Sequence, residues 1–155
     1  MTDTNLQLDN FLPYRLSITS NLVSDAIASA YVRLFALSVS EWRLIAVIAE
    51  QNGLTQRELV TRTLMDKVTV SRATIALTER GLIERKPNPG DGRSQLLSLS
   101  ADGTELYGHV APLALALEAQ IFGELDQKEL ALFNDLLDRI GSAAKQLTDE
   151  KGTPG

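Results

Sequence analysis

The chain has 155 residues, 44% hydrophobic and 23% charged, a globular composition whose length points to one structural domain. A formal net charge of -5, no cysteine and a single histidine, His109, exclude disulfides, thiolate or multi-histidine metal sites within one chain, and thiol redox sensing. No apolar run approaches the ~18–20 residues that cross a bilayer. The start MTDTNLQLDN lacks a secretory leader's basic and apolar parts, so a cytoplasmic protein without membrane contact is expected.

In chain order, Leu16, Val23, Ile27, Ala30 and Leu34 recur near helical spacing and predict one long helix beginning around Asp9. Ser40 is the expected cap of a second helix, EWRLIAVIAEQ, which Asn52-Gly53 ends. Thr55 and Glu58 form a T-x-x-E capping box for QRELVTRTL. Asp66 caps a fourth helix over 66–80, closed by Gly81 in the left-handed conformation. LIERKP (82–87) and 96–99 then read as strands around NPGDGRS, a loop whose glycines supply special backbone angles. Ser100 opens another helix, with a kink expected at Pro112, and Asp126 with Glu129 opens the last. The tail TDEKGTPG is expected to fray.

Three short helices followed by a hairpin is the order of a winged helix-turn-helix. Charge agrees: 55–95 holds eight basic and five acidic residues, a net +3, while the remainder is -8. A basic centre in an acidic frame holds a polyanion locally. In the helix 66–80, Val70, Ala73 and Leu77 share one face, and Val68, Arg72, Ile75 and Glu79 the opposite one. Arg72 suits guanine edges or phosphate, and Val68 and Ile75 suit thymine methyls or the underside of a neighbouring helix. Lys67, Thr69 and Ser71 suit phosphate oxygens. In the last helix, Leu130, Phe133, Leu137, Ile140, Ala144 and Leu147 alternate spacings of three and four. That seam wants a partner helix or an internal core.

The run LTQRELV, then TVSRATIALTERGLIER, then D-x-R with an L-x-L-S-x-x-G ending, resembles the MarR (multiple antibiotic resistance regulator) family. The resemblance implies a mainly α fold with a small β-hairpin, a winged helix-turn-helix flanked by N- and C-terminal dimerisation helices. In that reading 1–37 is a dimerisation helix, 38–100 the DNA-binding lobe and 101–155 the C-terminal dimerisation helices, all one structural domain with two lobes. It further implies a homodimeric, sequence-specific regulator, a repressor released by a small aromatic or anionic effector, on a pseudo-palindromic double-stranded operator.

Carried over residue by residue, Arg93 in a wing at 87–95 reaches the minor groove and Asp91 braces the wing by pairing with an Arg. Gly92 and Gln95 stand where basic residues are frequent, which removes phosphate contacts. Leu8, Phe11, Leu12, Leu130, Phe133, Leu137 and Ile140 are the implied dimer interface. Tyr14, Arg15, Trp42, Arg43, Tyr107 and His109 are candidates for an effector crevice. No phosphate loop, acid pair or nucleophile–base pattern is present, so neither enzymatic activity nor a cofactor is expected. The alternative is a winged-helix module that docks protein and no longer binds DNA usefully.

Overall fold

The computed structural model describes residues 5–151. A 3-10 turn at Leu8–Asn10 precedes α1 (Leu12–Phe35), α2 (Val39–Glu50), α3 (Gln56–Thr63) and α4 (Lys67–Glu79). The antiparallel strands β1 (Ile83–Pro87) and β2 (Gln95–Leu99) follow, then α5 (Ala101–Phe122) and α6 (Gln127–Lys151). No single helix among the described residues is long and apolar enough to cross a membrane. The chain divides into two compact units, one ending at Leu115 and the other beginning at Ala116.

In the first unit, α2, α3 and α4 close around Leu44, Ile45, Ile48, Leu59, Val70 and Leu77, all fully buried. Each of the three helices begins with a side-chain cap. Thr55 Oγ1 accepts from the Glu58 amide at 3.1 Å while the Thr55 amide donates to Glu58 Oε2 at 2.8 Å. The second helix is capped by Ser38, not Ser40: Ser38 Oγ accepts from Glu41 N, and Glu41 Oε1 accepts from Ser38 N. The reciprocal bond requires Glu41 three residues after the cap, a spacing that Ser40 lacks. Such caps contribute ~0.5–2 kcal/mol each.

The first helix starts at Leu12 rather than Asp9, because Phe11 is extended (φ -87°, ψ 109°) and Pro13 fits the first turn of a helix. It ends on Ala36, left-handed at φ 52°. The hairpin pairs Ile83 with Leu99 through Pro87 with Gln95. Leu54 adds a bridge to Leu97 on the other edge of β2, which ties the hairpin to the start of α3. Gly81 is left-handed (φ 69°) as expected, and its carbonyl accepts from Ser100 Oγ at 2.6 Å. Gly103 lies so close to the chain that a Cβ would come within 2.0 Å of the Leu82 carbonyl oxygen.

α5 runs across Pro112 as one helix. In the second unit, Asp126 and Glu129 form the expected reciprocal cap, at 2.9 and 3.1 Å. The tail is helical through Lys151, so fraying within 148–151 is not observed; 152–155 lie outside the described residues.

Candidate nucleic-acid interface

α4 presents the face that its periodicity dictates. Val70, Ala73, Thr74 and Leu77 are buried, and Thr74 satisfies its hydroxyl by donating to the Val70 carbonyl at 2.7 Å. On the other side Lys67, Arg72 and Glu79 are exposed, with Val68 58% and Ile75 49% accessible; Ser71 is half-buried. Among the described residues, nothing buries either apolar side chain. They stand outward beside Arg72, which lines hollows on both flanks of the helix. One hollow also includes Gln56, Lys67, Val68 and Ser71; the other includes Ser38, Ser40, Thr69 and Ala76.

Asp66 fixes where this helix begins. Its carboxylate accepts from the Thr69 amide at 2.8 Å and from the Thr69 hydroxyl at 2.9 Å. Those bonds, the backbone one first, hold the Asp66 carboxyl below the ordinary 3.8. Thr69 therefore directs both of its donors to Asp66.

The hairpin tip from Asn88 to Ser94 closes on itself. Asn88 Oδ1 accepts from Gly90 N at 3.1 Å, Asn88 Nδ2 donates to Ser94 Oγ at 2.9 Å, and Asp91 Oδ1 accepts from Arg93 N at 3.0 Å. Asp91 thus holds the tip through the Arg93 backbone. The expected ion pair of Asp91 with an arginine is not formed among the described residues. A short carboxylate reaches the amide two residues ahead without ordering a long side chain. The guanidinium of Arg93 is left exposed. Neither Gly90 nor Gly92 is left-handed, and a Cβ at Gly92 would meet nothing within 4 Å, so the tip does not need glycine there.

Between the tip and the start of α3 lies a hollow of about 540 Å³, whose lining includes Thr55, Gln56, Arg57, Arg85, Asn88 and Arg93. Three arginines converge on it. Arg57 and Arg85 belong to the basic segment, but charge alone assigns them no place. The register puts Arg85 opposite Leu97, and its Nη1 donates to Gln95 Oε1 at 3.4 Å. Strand alternation along 82–87 is the signal in the sequence that points to Arg85.

Of the effector candidates, the structure joins Trp42 and Tyr107, stacked with centroids 5.8 Å apart. Trp42 also meets Tyr31 at 5.4 Å, a residue absent from the candidates although it follows Ile27 by four on α1. Tyr31 is 2% exposed, and burial pushes its phenol above the usual value. Tyr14, Arg15, Arg43 and His109 are exposed on their helices. Of the dimer candidates, Leu8, Phe11 and Leu12 are exposed on the first unit. On the second unit Phe133, Leu137 and Ile140 are exposed and Leu130 is half-buried; Phe133 meets Phe122 with ring centroids 6.0 Å apart.

Residues 37–94 match the sequence profile of the MarR family. The chain is 24% identical over 107 residues to the transcriptional regulator HosA of Escherichia coli O111:H-, covering 69% of this chain and 79% of that one. Among solved structures, a MarR/EmrR family transcriptional regulator from Acinetobacter sp. ADP1 superposes with TM-score 0.84 at 24% identity, covering 91% of this chain and 99% of that one. A mutant MarR from Escherichia coli complexed with operator DNA gives TM-score 0.77 at 22% identity, covering 88% and 99%. These structural likenesses establish the winged helix-turn-helix fold.

Proposed function

We propose that this chain, whose residues 37–94 match the MarR family, is a MarR-family protein and a homodimeric, sequence-specific DNA-binding transcriptional regulator. The observation that carries the reading is the outer face of α4. A helix core-packed by Val70, Ala73 and Leu77 turns Val68, Arg72 and Ile75 to solvent, with a hollow on one flank that Lys67 and Arg72 make basic. An α-helix enters a major groove of about 12 Å, where guanidinium reads guanine and apolar groups read thymine methyls. The exposed Arg93 at the hairpin tip then reaches the adjoining minor groove, and Arg57 and Arg85 add phosphate contacts.

The residue roles divide accordingly. Lys67 and Ser71 meet phosphate, Arg72 reads or anchors, and Asp91 holds the tip that carries Arg93. Residues 1–37 and 101–155 supply the dimer seam, through Leu8, Phe11, Leu12, Leu130, Phe133, Leu137 and Ile140. Two recognition helices then meet half-sites about one DNA turn, ~34 Å, apart. Repression, release by a small aromatic or anionic effector, a non-enzymatic role and a cytoplasmic location complete the reading. The Trp42–Tyr107 stack is the feature that favours an aromatic effector.

The test is a salt titration of binding to a random duplex, followed by selection of bound sequences from a random pool. A steep fall of affinity with salt is expected, and Arg93→Ala should reduce the slope by about 0.9 for each phosphate left unneutralised. No binding to any duplex at low salt would overturn the reading and leave a protein-docking module.

A further inference from the structure

Arg80 follows Ala73 by seven residues, two helical turns along the stripe that flanks the core, rather than on the face of Val68, Arg72, Ile75 and Glu79. Its guanidinium is committed elsewhere: Nη1 donates to the Ala36 carbonyl at 2.9 Å and Nη2 to the Phe35 carbonyl at 3.2 Å. Those carbonyls close α1, and Ala36 is left-handed there without being glycine. A cation at a helix C-terminus satisfies orphan carbonyls and complements the helix dipole, and a planar fork fixes orientation as a single ammonium does not. The contact joins residues 44 and 45 apart in sequence. It sits at the cap of α4, whose amide bonds back to Ala76.

We infer that Arg80 is a positioning residue for DNA recognition, a fork that sets the C-terminal end of the recognition helix on the end of α1. The inference rests on the DNA-binding reading above. Of the eight basic residues in 55–95, this one then acts on DNA through geometry rather than through its charge. The same fork makes the last turn of α1 and the last turn of α4 one mechanical joint. Leu37, fully buried just beyond it, anchors the joint to the core, and its amide donates to the Tyr31 carbonyl at 3.3 Å.

The experiment compares the full-length chain with Arg80→Ala and Arg80→Lys in two readouts. On a duplex selected from a random pool, Arg80→Ala should weaken binding about tenfold, the scale of a charge-assisted bond, with the affinity for random duplex nearly unchanged. The salt slope should stay at the wild-type value, and Arg80→Lys should recover part of the affinity. A slope reduced by about 0.9 would instead make Arg80 a phosphate contact and overturn the inference. Without DNA, amide exchange in Arg80→Ala should quicken both at 33–37 and at 77–80. Unchanged exchange in both segments would overturn the joint whatever the DNA results, and if the wild type bound no duplex the DNA reading would fail by itself.

Discussion

The winged lobe and the α6 helix solve the same problem of burying apolar side chains in opposite ways. In the lobe, Leu44, Ile45, Ile48, Leu59 and Leu77 vanish completely from solvent within one chain. In α6, no described residue is buried; Phe133, Leu137 and Ile140 stay exposed along one stripe. A surface helix with its apolar face open leaves favourable transfer free energy uncollected, at roughly 25 cal/mol per Å². The difference teaches that the lobe closes its core inside the chain, while the stripe on α6 stays open, as the proposed dimer seam requires.

The largest effect expected from breaking that contrast is in the lobe. Leu77→Ala removes a fully buried side chain from the inner face of α4 and should cost ~2–5 kcal/mol in urea unfolding. Leu137→Asp on α6 should cost about 2 kcal/mol of association, roughly a thirtyfold rise in dimer dissociation constant by sedimentation. The near-ultraviolet signature of Trp42 should be unchanged in that variant. If Leu137→Asp instead melted the lobe and left association intact, the contrast would be wrong.

A smaller effect separates the two halves of the DNA face. Gly92 has open space around it and an ordinary backbone, so Gly92→Arg should fold normally. It should strengthen duplex binding and steepen the salt slope by about 0.9 for one further neutralised phosphate. An unfolded or weaker-binding Gly92→Arg would mean that the tip needs glycine after all.

Smallest is the contribution of the Asp66 cap. Its folded pKa lies below the ordinary 3.8, so the carboxylate's contribution is fully present above that value and is lost as pH falls through the depressed one. Stability should therefore decline more steeply below pH 4 in the wild type than in Asp66→Asn, measured by thermal melting from pH 6 to pH 3. Parallel profiles would remove the cap from the pH dependence.

Much of the lobe is legible in the sequence because its signals are local. The capping box at Thr55 and Glu58 closes within three residues, as does the Asp66 cap, and the split of α4 into Val70–Leu77 and Val68–Ile75 faces follows from helical period alone. Ser38 and Ser40 are both serines before the same apolar run, and only the reciprocal bond from Glu41 chooses the first over the expected second. The tip misleads for a related reason. Its glycines suggest unusual backbone angles, whereas Asn88 and Asp91 build the turn with side-chain-to-backbone bonds.

Composition, charge placement, helical period and short-range capping determined by themselves that this chain builds a basic winged helix-turn-helix between long terminal helices. Each of those signals is satisfied within a few residues of where it is written. The tertiary structure alone decided that Arg80 bonds the end of α1, that Leu54 joins the hairpin, that Tyr31 meets Trp42, and that Arg57, Arg85 and Arg93 share one hollow. Such contacts join residues far apart along the chain, and their partners are chosen by packing and direction in space, which no spacing in the sequence encodes.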